Sequence, residues 1–185
     1  MAASGSAWRG TALGIGAMAV IVTASNILVQ VPINAWLTWG AFTYPFAFLV
    51  TDLCNRAMGA GPARRVVAAG FVIAVILSLW LATPRIAMAS GTAFLVAQLL
   101  DVAVFDRLRR GSWWRAPLVS STLGSAVDTA LFFSLAFAPA FVLLGPNQAW
   151  ALEAVPLLGL GAPAPYWIGL AIGDFFVKLG IALVA

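Results

Sequence analysis

Apolar runs of membrane length, separated by short clusters of proline, glycine and arginine, constrain this chain more than any other feature. A bilayer core about 30 Å thick takes roughly 20 helical residues per crossing. Such runs fall at about 11–31, 36–56, 66–83, 86–105, 117–138 and 164–184. They predict an all-α membrane protein, a six-transmembrane-helix bundle in which residues 1–185 form a single integral membrane domain. Composition argues against a water-soluble alternative. Only 9% of the 185 residues are charged and 63% are hydrophobic, whereas a soluble domain carries about a quarter charged residues. The lipid bilayer is therefore the expected solvent. The first run resembles a signal peptide but has full membrane length and is followed by no cleavage site, so it is read as a retained helix.

The breaks between runs have their own chemistry. Pro32-Ile33-Asn34-Ala35 predicts a tight hairpin, and Thr83-Pro84-Arg85 a turn. Between Arg56 and Arg65, the residues Gly59, Gly61 and Pro62 read as helix stoppers. Asp106 to Arg115 forms a basic loop. The stretch 138–165 is long, apolar and rich in Gly and Pro, with Asn147, Gln148 and Glu153 interrupting it. It is expected to lie at the interface or to fold back as a lid.

Charge sets an orientation. The chain has 10 Lys and Arg against 6 Asp and Glu, a net charge of +4. In a membrane protein these arginines read as topology signals, with no nucleic acid implied. With a cytoplasmic N-terminus, Arg9, then Arg56, Arg64 and Arg65, then Arg107, Arg109, Arg110 and Arg115 all fall inside, and only Arg85 falls outside. The positive-inside rule then places both termini in the cytoplasm. Trp8, Trp113 and Trp114 fall at inner ends; Trp36, Trp39, Trp80, Trp150 and Trp167 fall at or near outer ends. That is the distribution of two interfacial aromatic belts.

Polar residues at membrane depth are costly unless they face a cavity or a partner. Here they form stripes. Asn26, Gln30 and Asn34 recur every four residues; Ser121, Ser125 and Asp128 share a face; Gln98 and Asp101, Thr51 and Asn55, and Asp174 and Lys178 are each three or four apart. Together they predict a cavity in the central and inner half of the bundle. Structural readings stand beside this one. Asp52 has Arg56 within pairing distance along a helix, Asp101 has Arg107 nearby, and Asp174 with Lys178 forms a packing pair. Ser121 and Ser125 suit close helix packing, and Asn26 and Gln30 suit a bond to another helix. Asp128 has no basic neighbour within two turns of its own helix, so a ligand role fits it best.

Absences exclude other chemistry. The chain has no histidine and one cysteine, Cys54, so neither a His-based metal site nor a Cys–His nucleophile is available. Its single lysine, Lys178, lies in no phosphate-binding loop. No cofactor and no enzyme activity are expected.

Several motifs carry a family resemblance. These are Thr43-Tyr44-Pro45-Phe46 through Thr51-Asp52-Leu53-Cys54-Asn55-Arg56 to Gly59, then Ala63-Arg64-Arg65-Val66-Val67 with Gly70-Phe71, Ala97-Gln98-Leu99-Leu100-Asp101-Val102 with Phe105, and Ser120-Ser121-Thr122 leading to Ser125, Asp128-Thr129 and Phe132. In order and spacing they resemble the queuosine precursor transporter family, also described as vitamin-uptake-like. Arg56 departs from the family pattern, which has an acidic residue there. The resemblance implies a six-helix fold similar to the substrate-binding subunits of energy-coupling-factor transporters. It also implies import of 7-cyano- or 7-aminomethyl-7-deazaguanine. A carboxylate accepts the N1–H and exocyclic amine of such a ligand in a bidentate pair. Asp128 or Asp101 is the expected edge reader, with Gln98, Asn26 and Gln30 as neutral partners, Asp52 and Asn55 as secondary ones, and Lys178 either holding Asp174 or meeting the ligand carbonyl. Phe42, Trp39 and Phe94 are the expected stacking aromatics. Two other functions stay open at this level: a binding subunit for another small vitamin that works with an energy-coupling ATPase complex, and, as a poorer fit, a non-transport membrane enzyme or assembly factor. The sequence leaves the oligomeric state open as well, a homo-oligomer included.

Overall fold

The computed structural model describes residues 2–29, 31–34 and 36–184. Among the described residues, five helices are long and apolar enough to cross a bilayer. They are Trp8–Leu28 within α1 (Ala2–Leu28), α4 (Ala60–Leu81), α5 (Pro84–Leu108), α6 (Arg115–Phe137) and α8 (Tyr166–Val184). The chain is an all-α membrane protein in which α1 and α4 run the same way, with the shorter α3 (Phe46–Met58) returning between them, and α5, α6 and α8 then alternate in direction. The bundle has a hairpin end, where α1, α4 and α6 finish, and an arginine end, where α4 and α6 begin.

The expected second span is not one helix. Trp36 to Thr38 are taken up by an antiparallel hairpin of β1 (Pro32–Asn34) and β2 (Leu37–Thr38), so helix starts only at Gly40. Asn34 thus belongs to the hairpin, where its Oδ1 accepts from the backbone N–H of Trp36 at 2.8 Å, and the stripe drawn through Asn26 does not continue along one helix. A four-residue α2 (Gly40–Thr43) and a thirteen-residue α3 (Phe46–Met58) follow, split at Tyr44-Pro45. Pro45 has no N–H to donate back along the helix.

The break between α3 and α4 is also narrower than the sequence suggests. One residue makes it: Gly59, with φ +87°, a conformation an L side chain rarely adopts. Gly61 and Pro62 lie inside the first turn of α4, where the missing proline N–H had no intrahelical partner to lose. At the other end of α4 the chain turns through Thr83. Its hydroxyl caps α5 by accepting from Ile86 N–H at 3.4 Å, with Pro84 in the first helical position.

Packing is tight where small residues let helices meet. A Cβ on Gly124 of α6 would lie 2.7 Å from the Phe48 ring, so α6 is seated on α3 through that glycine. One apolar core joins Met18 and Val22 of α1 to Val66 and Val67 of α4 and Phe94 and Val102 of α5. A second joins Ala89 of α5 to Phe133 and Phe137 of α6 and to Ala151. Ala151 belongs to α7 (Ala149–Leu152), a single turn within the 138–165 segment that also holds a hairpin of β3 (Ala154–Pro156) and β4 (Pro163–Pro165). No helix in that segment is long enough for a further crossing among the described residues.

Arg85 holds this segment down. It reads as a loop charge in the sequence but is only 2% exposed. Its guanidinium donates to the carbonyls of Leu135 (2.9 Å), Ala138 (2.7 Å), Gly145 (3.1 Å) and Pro146 (3.4 Å) and to Asn147 Oδ1 (2.9 Å). Only the planar five-donor fork of arginine can serve so many acceptors. Arg85→Ala is expected to lower the unfolding free energy by about 2–3 kcal/mol, through orphaned carbonyls. It is also expected to open 139–147 to protease. Thermal unfolding in detergent with limited proteolysis checks both, and an unchanged cleavage pattern would show that the fork does not anchor the segment.

Candidate functional site

Near the middle of α8, Asp174 and Lys178 stand one turn apart, and α6 presents Asp128 and Thr129 to them. Lys178 Nζ donates to Asp128 Oδ2 at 2.7 Å, Asp174 Oδ2 at 2.5 Å and Thr129 Oγ1 at 3.2 Å. Thr129 donates in turn to Asp174 Oδ2 at 2.7 Å. All three ammonium donors are used, and the lysine is 4% exposed. Tyr44, at the α2–α3 break, closes the cluster. Its hydroxyl donates to Asp128 Oδ1 at 3.2 Å, and the ammonium lies 5.1 Å from its ring centroid. Edge contacts with Phe48 (6.5 Å) and Phe94 (6.2 Å) fix that ring. Two carboxylates meet one ammonium, so the cluster carries one negative charge in excess when all are ionised. Both bonds that Asp174 receives converge on Oδ2.

This cluster is the floor of a cavity of about 450 Å³ that extends toward the hairpin end. Asn26, Ser78 and Ser90 put polar groups on its walls, and Trp36, Phe132 and Trp150 put flat apolar faces there. Trp150 belongs to α7, so the segment pinned by Arg85 roofs the space. Trp36 and Trp150, which the sequence assigns to an interfacial belt, line the cavity instead. Trp8, Trp80 and Trp113 are exposed near helix ends, as a belt requires.

The cavity does not lie in the half the polar stripes suggest. Toward the arginine end, the polar groups bond to one another across helix seams and leave no comparable space. Thr51 donates to Gln98 Oε1 at 2.6 Å, and Asn55 Nδ2 to the Val102 carbonyl at 2.9 Å, both joining α3 to α5. Ser120 and Ser121 of α6 donate to the two oxygens of Asp52 at 3.3 and 3.1 Å. Arg56 forms no ion pair with Asp52; it donates to the Trp113 carbonyl and rests 5.5 Å from the Phe105 ring centroid. Asp101 likewise has no ion pair with Arg107 among the described residues. A smaller pocket of about 260 Å³ lies on this side, lined by Asp52, Ser121, Ser125 and Lys178 among others. Lys178 therefore borders both spaces.

The sequence-derived candidates separate accordingly. Asp128, Asp174, Lys178 and Asn26 surround the large cavity; Asp52, Ser121 and Ser125 line the small pocket; Gln98, Asn55 and Asp101 are buried in the seam between α3 and α5. Phe94 lies beneath Tyr44, while Trp39 and Phe42 are exposed and line neither space. Gln30 is outside the described residues. Sequence reasoning missed Tyr44, Thr129, Trp36 and Trp150 as site residues. Only Tyr44 carried a local signal: a polar aromatic directly before a helix-breaking proline.

Residues 38–83 and 78–185 match the family described as "Putative vitamin uptake transporter". The "Queuosine precursor transporter" of Escherichia coli (strain K12) is 34% identical over 189 residues, covering 89% of this chain and 77% of that protein. The "Probable queuosine precursor transporter" of Haemophilus influenzae is 35% identical over 200 residues, with the same coverage of 89% and 77%. The protein of that name from Bacillus subtilis (strain 168) is 24% identical over 176 residues, covering 80% of this chain and 68% of its own. No solved structure matches the chain.

The floor makes a testable demand on stability. Lys178→Met leaves two buried carboxylates without their cation and is expected to cost about 3–5 kcal/mol. Adding Asp128→Asn to that variant should restore part of the loss. Thermal unfolding of the purified proteins measures both; a double variant less stable than the single one would contradict the ion-pair account.

Proposed function

This chain belongs to the vitamin uptake transporter family, as a multi-pass membrane transporter and not an enzyme, and we propose that it imports a queuosine precursor, 7-cyano- or 7-aminomethyl-7-deazaguanine, across the bacterial inner membrane. In this reading residues 1–185 form one domain that crosses the bilayer six times, with α2 and α3 together as the second crossing and both termini cytoplasmic. The burial of Arg85 supports that orientation, because it removes the one arginine that ran against the charge asymmetry. The hairpin end is then outside, and the large cavity faces the side from which substrate arrives.

The observation that carries the assignment is a cavity of about 450 Å³ with flat aromatic walls and an acid-rich floor. That volume is within the usual range for small-molecule sites, about 300–1,000 Å³. A deazaguanine is planar and presents N1–H and an exocyclic amine along one edge. Asp174 offers Oδ1 to that edge, because Lys178 and Thr129 both bind its Oδ2. Asp128, held by Tyr44 and Lys178 on separate oxygens, orients the floor. The ring stacks against Trp36, Phe132 or Trp150, and Asn26 reads a remaining polar group. The surplus negative charge accommodates the cationic aminomethyl arm as well as the neutral cyano group.

Thermal stabilisation of the purified protein across purines and deazapurines tests this directly. Deazaguanines should raise stability by about 2.7 kcal/mol at a hundredfold excess over Kd. Adenine, which lacks the N1–H, should not. Asp174→Asn should weaken the effect at least tenfold in apparent Kd while leaving the protein folded. A folded protein that no deazaguanine stabilises would end the assignment. For topology, a fluorescent protein fused at the C-terminus should fold and glow inside the cell, whereas alkaline phosphatase inserted after Pro146 should be active outside.

A further inference from the structure

The seam between α3 and α5 holds chemistry that the substrate cavity does not use. Two hydrogen bonds clamp it: Thr51 to Gln98 at 2.6 Å on one level and Asn55 to the Val102 carbonyl at 2.9 Å on the next. Asp52 lies between the two α3 residues and Asp101 between the two α5 residues, so the clamps bring these carboxyl groups to the same level, where their charges act on each other. Asp52 is 4% exposed and Asp101 is wholly buried. Asp52 is served by Ser120 and Ser121. Both oxygens of Asp101 are buried, and the groups that reach them, the facing Asp52 carboxyl and the Ser120 hydroxyl, supply no positive charge.

A second, neutral group points the same way. Asn55 is wholly buried, and with its Nδ2 bonded to α5, its Oδ1 stays in the seam without a donor. Carboxylate and hydroxyl oxygens thus meet from α3, α5 and α6, with the Asn55 oxygen one turn along α3, and among the described residues no basic side chain forms an ion pair with either carboxylate. Arg56 acts on Asp52 from one turn away, but its guanidinium is committed to the Trp113 carbonyl and the Phe105 ring. Arg109 donates to the Asn55 carbonyl and pairs with Asp106. On α8, Lys178 is held by Asp128 and Asp174. Two carboxylates at membrane depth without a bound cation would cost several kcal/mol. Hard oxygen donors with net negative charge select a small, hard cation.

We propose that Asp52, Asp101 and Asn55 form a site for a monovalent cation, a proton or a sodium ion, whose inward movement drives substrate accumulation. The proposal rests on the carrier reading above and adds its energy source. Asp52 borders the small pocket, whose lining reaches Arg56 and Trp113 toward the arginine end, so a bound cation has a route toward the cytoplasmic side. Helix α6 links the two sites. It carries Ser120 and Ser121 on Asp52 and, two turns on, Asp128 and Thr129 on the substrate floor. A shift of α6 therefore changes the oxygens around the cation and the floor beneath the substrate together.

Proteoliposomes and labelled 7-cyano-7-deazaguanine separate the possibilities. Counterflow exchange without any gradient reports the carrier alone. Uptake is then driven by an inward tenfold proton gradient without sodium, or by an inward tenfold sodium gradient at constant pH, with the membrane potential held at zero. One of the two should accumulate the neutral ligand up to about tenfold over equilibrium at one-to-one coupling, and which one identifies the cation. Asp101→Asn and, independently, Asp52→Asn should keep counterflow and lose accumulation. Strong counterflow with no accumulation under either gradient overturns the cation site while leaving the carrier intact, and so does an Asp101→Asn protein that still accumulates. Absence of counterflow in the unaltered protein overturns the carrier reading and this inference with it.

Discussion

The fold is arranged around one buried ammonium. Lys178 is the sole lysine, lies mid-way along the last helix, and reaches two carboxylates and a hydroxyl at once. A lone lysine at that depth would be a liability of several kcal/mol. Satisfied on every donor, it ties α8 to α6, and through Asp128 and Tyr44 it ties both to the break between α2 and α3. That tyrosine stands directly before Pro45, whose missing N–H interrupts the hydrogen bonding between α2 and α3.

That dependence explains which parts of the molecule were legible beforehand. The existence of the apolar spans follows from composition and length, because lipid leaves few alternatives to helix. The pairing of Asp174 with Lys178 follows from their spacing on one helix. The partnership of Lys178 with Asp128 does not, because fifty residues separate them and only tertiary packing unites them. The same limit applies to Arg85, whose five acceptors come from segments fifty or more residues away. Its charge reads as a loop signal along the chain and becomes a buried bracket in three dimensions. Local stop signals were over-read in one place: Gly61 and Pro62 are helix breakers in the interior but harmless in a first turn, and α4 begins before them.

Polar periodicity was informative about faces and silent about depth. The stripes on the helices do turn inward, yet those nearest the arginine end join side chain to side chain or to backbone across seams. Thr51 and Gln98 meet at 2.6 Å and exclude any ligand from between them. The larger open space lies where aromatic rings and a roof keep neighbouring helices apart. A polar stripe therefore marks where a membrane protein can afford hydrogen bonds, and side-chain bulk decides whether the place becomes a joint or a chamber.

The bracket formed by Arg85 has a further consequence. Four of its five acceptors are main-chain carbonyls, those of Leu135, Ala138, Gly145 and Pro146. Every amino acid carries such a carbonyl, so most of 138–146 can exchange one residue for another without losing its fastening; Gly145 is the exception, because its φ of +148° disfavours any side chain. The arginine has no such latitude. Over evolutionary time the roof is free to be rewritten for different cargo while its hinge pin stays the same.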